Sequence, residues 1–106
     1  MYLGGNKILR VYYDLHIHSC LSACASDDMT PNNIVNMAKL SGIDVIAVTD
    51  HNSCLNCRAV VNAGKKIGIL VVPGMELCTS EEIHVICLFK EVSYAEKFSE
   101  YVYTKI

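Results

Sequence analysis

The sequence lacks several features that assign proteins to broad classes. It has no apolar run near the roughly 20 residues of a membrane-spanning helix, so we predict no membrane association. It has no basic cluster, and its formal net charge of −2 gives no direct signal for nucleic acid. We find no internal repeat and no low-complexity segment. The 106 residues are 52% hydrophobic and 19% charged, which is typical of one small globular domain.

The cysteines are expected to be reduced. No apolar segment follows the basic residues Lys7 and Arg10, so we see no signal peptide and predict a cytoplasmic protein. The six cysteines then indicate free thiols and not a disulfide framework. Cys54 and Cys57 form a Cys-x-x-Cys pair, a spacing that also occurs in redox pairs and zinc sites. Without a second such pair, buried thiols are the favoured interpretation.

Hydrophobic patterning and turn residues predict the element order β-α-β-α-β-β-α. The predicted strands cover residues 11–18, 43–49, 69–76 and 83–89, and the predicted helices cover residues 30–41, 52–67 and 93–103. Alternating strands and helices favour a parallel α/β arrangement. Only six residues separate Glu76 from Ile83, too few for a parallel crossover. We therefore expect the last two strands to be antiparallel or joined by an irregular loop.

The boundaries of the domain and its helices follow from local signals. Residues 1–10 are predicted to be a loose N-terminal segment, and residues 11–106 to form the domain. Thr30 and Pro31 should start the first helix, because threonine caps free amides and proline fits the first helical position. Asn52 or Ser53 should cap the second helix. The apolar helix faces expected to be buried contain Ile34, Met37 and Ala38 in the first helix and Tyr94, Phe98, Tyr101 and Val102 in the last.

All four histidines fall at the ends of predicted strands. His16 and His18 close the first strand, His51 follows the second, and His84 opens the fourth. Glu76 ends the third strand. The carboxyl ends of parallel strands meet at one edge of a sheet, where ligands bind. Because the link before His84 is short, we expect His84 to return to this same edge.

The His-x-His spacing predicts a metal site. Residues two apart on a strand project to the same face, so His16 and His18 can hold one ion together. Imidazole and carboxylate ligands suit zinc, manganese or iron, and Glu76 can bridge two ions. Simpler interpretations exist. A His-x-His pair on a strand is often two ordinary half-buried histidines that bind no metal, and Asp50 can cap the helix that follows it. The coincidence of all these residues at one edge favours the metal site.

Four short segments resemble the motifs of the PHP (polymerase and histidinol phosphatase) family. Residues 14–19 (DLHIHS) are similar to its first motif, and residues 49–52 (TDHN) to its second. Residues 74–76 (GME) and 82–84 (EIH) together resemble the third. The order and spacing of these segments match as well, and the similarity extends over about residues 13–89.

The resemblance implies a distorted (β/α)7 barrel with metal ions at the C-terminal edge of its strands. The implied activity is hydrolysis of a small phosphorylated substrate by a phosphoesterase in which metal-bound hydroxide attacks phosphorus. Up to three divalent ions are implied. His16, His18 and Glu76 would bind the first ion, and Glu76 would bridge to a second ion near His84. His51 would bind the third ion.

Two departures from the family pattern affect this site. Where relatives have an acidic residue or a histidine after the first motif, this sequence has Ala23 and Cys24. Cys24 is therefore either an additional soft ligand or a sign of a weakly held third metal. The family's later ligands are absent because the sequence ends at Ile106, so we expect only the N-terminal part of the domain. Asp50, adjacent to His51, is expected to orient a ligand or relay a proton.

The incomplete ligand set leaves other functions open. The main alternative is a truncated, non-catalytic module that binds metal or packs against a partner, including the polymerase-associated role of some family members. A small zinc-thiolate protein is another, and it requires the cysteines to converge. An unpaired sheet edge is expected to promote self-association. We expect the isolated chain to be oligomeric or unstable, with little or no phosphatase activity.

Overall fold

The computed structural model describes residues 2–3 and 7–106. Its elements, in chain order, are β1 (Tyr2–Leu3), β2 (Lys7–Ile8), β3 (Tyr13–Ile17), α1 (Pro31–Leu40), β4 (Val45–Val48), α2 (Cys57–Ile67), β5 (Leu70–Val71), β6 (Gly74–Cys78), β7 (His84–Leu88) and α3 (Val92–Tyr103). Within the predicted loose segment, β1 and β2 pair antiparallel. Residues 1 and 4–6 of that segment lie outside the described residues. The predicted boundary between the segment and the domain, at residue 10, remains a prediction.

The sheet is parallel where the sequence alternates strands and helices. β3, β4 and β5 pair in that order, and both pairs are parallel. This confirms the α/β class with a parallel sheet. The chain after β4 continues along β6: the Glu76 amide donates to the Asp50 carbonyl, and the Asn52 amide donates to the Glu76 carbonyl, each at 2.9 Å. His51 and Glu76 are thereby joined by a parallel bridge.

β6 and β7 form an antiparallel pair. The register runs from Gly74 opposite Leu88 to Cys78 opposite His84. The Thr79 amide donates to the Ile83 carbonyl at 3.0 Å and closes the short connection. Of the two predicted arrangements for these strands, the antiparallel one is correct, and it brings His84 back to the end of β6.

The predicted third strand is divided in the structure. β5 stops at Val71 and β6 begins at Gly74, because Pro73 has no amide hydrogen with which to continue the ladder. The Pro73 carbonyl instead accepts from the Phe89 amide at 2.8 Å. Glu76, predicted at the end of that strand, consequently lies in the middle of β6.

α1 begins where the sequence predicts. Thr30 Oγ1 accepts from the Asn33 amide at 3.4 Å, and the helix starts with proline. Ile34 and Ala38 are buried as expected. Met37 is 56% exposed, so its predicted burial is wrong. The reason is that α1 packs against α2 along a stripe that contains the buried Val35 instead.

α2 begins later than predicted, with Asn56 before its first residue. Asn52, a predicted cap, has a positive φ of 51° and bonds to the neighbouring strand instead. Its Oδ1 accepts from the Cys78 amide at 2.8 Å, and its Nδ2 donates to the Cys78 carbonyl at 3.3 Å. Both predicted caps are therefore wrong. Strand-to-loop bonding occupies the Asn52 side chain, and Ser53 Oγ accepts from the Leu55 amide at 3.2 Å, ahead of the helix.

The core has two parts. One lies between the parallel sheet and the helices α1 and α2, with Val35, Ile46 and Val60 at its centre. The other lies between β6, the start of α2, and α3, and it contains Met75 and Val102. Within the described residues, no helix combines the length and apolar character needed to cross a membrane.

α3 buries only part of the face that the sequence predicts. Tyr94 and Tyr101 are 53% and 59% exposed, so their predicted burial is wrong. Val102 is buried and Phe98 is partly buried, as predicted, and Ala95 is buried beside them. A tyrosine hydroxyl prefers water when no buried partner is available, and this favours the outward position of both rings.

Candidate metal centre

Four histidines surround the carboxylate of Glu76. The Glu76 side chain is only 5% exposed. Its Oε1 lies 2.8 Å from His16 Nε2 and 3.0 Å from His18 Nε2. Its Oε2 lies 2.5 Å from His84 Nδ1 and 3.9 Å from His51 Nδ1. The structure thus brings together all five residues that the sequence predicts as metal ligands.

Each candidate ligand lies in a strand or shortly after one. His16 lies in β3, and His18 is two residues further along the chain, so both side chains reach the same side of the sheet. His51 follows β4 and is bridged to Glu76 in β6. His84, the first residue of β7, is held beside them by antiparallel pairing. Residues distant in sequence meet because strand ends gather at one edge.

The arrangement of His16, His18 and Glu76 fits a divalent cation. The two Nε2 atoms are 3.2 Å apart, and both lie within 3.0 Å of the same carboxylate oxygen. A nitrogen without a proton is repelled by that oxygen, so a cation among these atoms would stabilise all three. Imidazole and carboxylate are common ligands of zinc, manganese and iron. The chemistry of the donor set therefore suits the metal that the sequence implies.

Electrostatics favours the ionised form of Glu76. Burial alone would raise the pKa of its carboxyl group, but hydrogen bonds from His16 and His84 outweigh burial, and the net pKa is lowered. The Coulombic effect of His51 acts in the same direction. A negative charge is therefore available at the centre of the cluster, where a bound cation would lie.

Asp50 lies behind the histidines and is only 2% exposed. Its Oδ1 accepts from the Ser19 amide and from Ser22 Oγ, both at 2.7 Å. Its Oδ2 accepts from Ser19 Oγ at 2.5 Å. Ser22 Oγ is also 3.1 Å from His18 Nδ1 and accepts from the His51 amide at 3.3 Å. Asp50 thus reaches two histidines through one serine.

Two cysteines approach opposite nitrogens of the His51 ring. Cys24 Sγ is 3.6 Å from Nε2, so the structure brings the predicted additional ligand next to His51. Cys78 Sγ is 3.0 Å from Nδ1, although the sequence interpretation gives it no role. Burial first, and the charge of Glu76 second, raise the pKa of the Cys78 thiol. The sequence signal that was missed is the spacing of Cys78 from Glu76: residues two apart on one strand project to the same face.

The Cys-x-x-Cys pair lies outside this cluster. Cys54 and Cys57 are each 3% exposed and donate through sulfur to the Gly74 carbonyl at 3.4 and 3.2 Å. A hydrogen bond with Cys57, followed by burial, raises the pKa of Cys54, which therefore remains a thiol. These positions agree with the favoured interpretation of the pair as buried thiols.

An open groove of about 790 Å³ lies beside His51. Leu55 and Tyr103 contribute apolar surface to it, Asn52 contributes an amide and Glu100 a carboxylate. Its lining residues, within the part of the chain that the structure describes, include no lysine or arginine. The groove therefore offers apolar contacts and little positive charge next to the histidines.

Comparison with known families identifies the domain. The PHP domain profile matches residues 14–103, a range that contains every histidine and Glu76. The chain therefore belongs to the PHP domain family.

Three curated relatives are similar to this chain over part of their own length. A 5'-3' exoribonuclease of Haemophilus influenzae is 35% identical over 80 residues, covering 72% of this chain and 28% of that protein. The 5'-3' exoribonuclease Rnm of Salmonella typhimurium is 30% identical over 90 residues, covering 79% and 29%. An uncharacterised protein of Methanocaldococcus jannaschii is 37% identical over 76 residues, covering 64% and 44%. The chain thus spans less than half the length of each relative.

Two solved structures share the fold. A proposed metal-dependent phosphoesterase from Bifidobacterium adolescentis superimposes with a TM-score of 0.71 at 22% identity, covering 92% of this chain and 34% of that chain. An amidohydrolase from Chromobacterium violaceum, with bound sulfate and no metal, has a TM-score of 0.63 at 26% identity, covering 74% and 28%.

Proposed function

We propose that the chain carries metal ligands of a cytoplasmic PHP-family phosphoesterase, which hydrolyses a phosphate ester with divalent zinc, manganese or iron. One observation carries this proposal: four histidines approach a single buried glutamate, Glu76, in a PHP domain. Divalent ions held by such ligands would activate water and neutralise the charge of a phosphoryl group.

The two oxygens of Glu76 divide the ligands into two groups. His16 and His18 approach Oε1, whereas His84 and the more distant His51 approach Oε2. A carboxylate shared in this way can bridge two ions, which supports a site with more than one metal. Up to three ions would be bound in the complete family site. Asp50, acting through Ser22, would orient the ligands around them.

The surroundings of His51 would bind the substrate. The groove beside it has room for the organic group of a phosphate ester, with apolar contacts from Leu55 and Tyr103. Because lysine and arginine are missing from its described lining, the bound ions would have to neutralise most of the phosphate charge. We therefore propose that substrate affinity depends on the metal.

We also propose that the parallel sheet belongs to a distorted (β/α)7 barrel. The similarity to the Bifidobacterium fold, of which this chain covers 34%, supports this proposal. Metal ligands after β3, after β4 and on β6 would then lie at the C-terminal edge of the barrel strands, where sites in such barrels are found.

RNA is a second candidate substrate. The observation that favours it is the 35% identity to an exoribonuclease, which also cleaves a phosphate ester bond. The net charge of −2 provides no general attraction to RNA. Recognition would therefore depend on contacts at the metal centre, with the groove beside His51 receiving one nucleotide.

Metal content tests the site. His16→Ala and Glu76→Ala should each lose divalent metal, because both remove a donor from the same three-residue set. Elemental analysis and titration with zinc or manganese would measure this loss. Glu81→Ala, at an exposed glutamate between β6 and β7, is the matched control and should bind metal normally. Unchanged metal content in both site variants would reject the proposed centre.

Activity tests the chemistry separately. The protein as its gene encodes it should hydrolyse a generic phosphomonoester or a short RNA when Mn²⁺ or Zn²⁺ is added. Glu76→Gln should abolish the hydrolysis of either substrate, since it removes the central charge. A metal-loaded protein that hydrolyses neither substrate would favour the non-catalytic, metal-binding module instead.

A further inference from the structure

Cys78 lies inside the candidate metal centre but has no part in the function proposed above. It follows Glu76 by two residues on β6, so both side chains project from the same face of the strand. Its Sγ lies 3.0 Å from His51 Nδ1 and 3.8 Å from His84 Nδ1. The donor atoms of these four residues all lie within 4.8 Å of one another. The sulfur is therefore directed at two imidazole nitrogens and a carboxylate.

The spacing of these donors resembles that of a tetrahedral site. Zinc bonds of about 2.0–2.3 Å place neighbouring ligand atoms about 3.3–3.8 Å apart. Cys78 Sγ is 3.0 and 3.8 Å from the two histidine nitrogens, and His51 Nδ1 is 3.9 Å from Glu76 Oε2. The remaining close pair, Glu76 with His84, forms a hydrogen bond that a cation would replace. Small side-chain adjustments would satisfy the geometry.

The two buried cysteines, Cys54 and Cys57, differ from Cys78 in their surroundings. Cys54 and Cys57 are enclosed by apolar side chains and direct their sulfur atoms to the Gly74 carbonyl. Cys78 is half-buried, and its backbone is held in place by both polar atoms of the Asn52 side chain. A thiol fixed in this way among nitrogen donors has the environment of a ligand and not that of a core residue.

We propose that Cys78 is a metal ligand, and that with His51, Glu76 and His84 it forms a site that prefers zinc to manganese. A thiolate is a soft ligand that binds zinc well, whereas manganese favours oxygen donors. The inference rests on the proposed metal chemistry and adds one ligand and a metal preference to it. Metal binding would replace the thiol proton, which is released to solvent.

Cys24 belongs to a different set of donors. It approaches Nε2 of His51, on the opposite side of the ring from Cys78. One imidazole nitrogen binds one ion, so the two sulfur atoms do not share a metal through the same nitrogen. Substitution of each cysteine by serine therefore distinguishes the two sets.

Cobalt(II) provides the test, because a thiolate bound to cobalt gives a sulfur-to-metal charge-transfer band. The band should appear in the wild-type chain and persist in Cys24→Ser and Cys87→Ser, the latter being the control on β7. Cys78→Ser should lose it when Cys24 is also replaced by serine, and should bind zinc at least about tenfold more weakly, with a smaller change for manganese. Bound cobalt without the band in the wild type, or an unchanged band when both Cys24 and Cys78 are replaced, overturns the proposal.

A second measurement needs no variant and therefore does not depend on its folding. Zinc should slow alkylation of Cys78 in the wild-type chain by about tenfold or more relative to Cys87, as measured by mass spectrometry. Equal alkylation rates of Cys78 with and without bound zinc would overturn the proposal. Metal that remains bound through His16 and His18 would still support the proposed function, so the two failures are distinguishable.

Discussion

Ser22 connects the buried carboxylate of Asp50 to the ring of His18. Its Oγ donates its one proton to Asp50 Oδ1 at 2.7 Å. Ser22 Oγ can therefore only accept from His18, whose Nδ1–H group donates to it across 3.1 Å. This hydrogen bond fixes the tautomer and leaves the lone pair on Nε2, the nitrogen 3.0 Å from Glu76 Oε1. The network would thereby prepare His18 to bind a cation.

Ser22→Ala should weaken metal binding while leaving every ligand in place. Loss of the hydroxyl frees the His18 ring to change tautomer, and we expect metal affinity to fall by about tenfold to a hundredfold. Isothermal titration with zinc would measure the change. Ser93→Ala, at an exposed serine in α3, is the control and should bind as the wild type does. Equal affinities for Ser22→Ala and wild type would show that the serine does not position the histidine.

The candidate ligand residues were more predictable than the residues that support them. Strand periodicity and parallel topology determine where strand ends meet, so sequence alone indicated that His18 and Glu76 would lie close together. Ser22 carries no such signal, because a loop serine becomes a hydrogen-bond partner only once the loop folds onto Asp50. Cys78 was missed because the sequence interpretation ended its strand at Glu76, whereas β6 continues through Cys78.

Gly64 allows α2 to pack closely against the start of β5. A Cβ atom added at this position would lie 2.6 Å from the Ile69 carbonyl oxygen and 2.6 Å from Val71 Cγ2. The Gly64 carbonyl accepts from the Ile69 amide at 2.9 Å, so helix and strand are joined there. The absence of a side chain therefore sets the distance between the helix and the sheet.

Gly64→Ala should destabilise the domain even though alanine favours helices. Overpacking of this kind costs about 1–3 kcal/mol, more than the roughly 0.5–1 kcal/mol that alanine contributes as a better helix former. We expect the free energy of unfolding to fall by about 1–2 kcal/mol, measured by urea denaturation. Asn62→Ala, at an exposed position in the same helix, should be neutral or slightly stabilising. A more stable Gly64→Ala protein would contradict the close packing.

At the scale of elements, the positions of helices were easier to predict than the faces they bury. Thr30 and Pro31 mark the start of α1 through local chemistry, and the structure agrees. The buried face depends on the neighbouring elements, which periodicity does not specify. In α3, Ala95 and Val102 meet the core, while the larger Tyr101 faces solvent.

The sheets of the molecule have edges that lack a further partner strand among the described residues. β3 and β5 pair only with β4, and β7 pairs only with β6. β3 belongs to the parallel part of the structure, which the alternation of strands and helices predicted. β7 belongs to the antiparallel part, which the short link between the last two strands predicted. Along β7, Val85, Ile86 and Leu88 are 45%, 37% and 44% exposed. An apolar edge strand of this kind is a template for pairing with another chain.

We expect the isolated chain to self-associate through β7. Light scattering should give a mass above the 11.7 kDa of one chain, and the excess should grow with concentration. Val85→Lys should reduce association, because a charged side chain on an edge strand opposes pairing. Leu40→Lys, at an 89% exposed position at the end of α1, makes the same kind of change away from the edge and should leave the mass unchanged. A wild-type chain that remains monomeric at every concentration would contradict association through this edge. Equal effects of the two lysine substitutions would show that association depends on general surface hydrophobicity and not on β7.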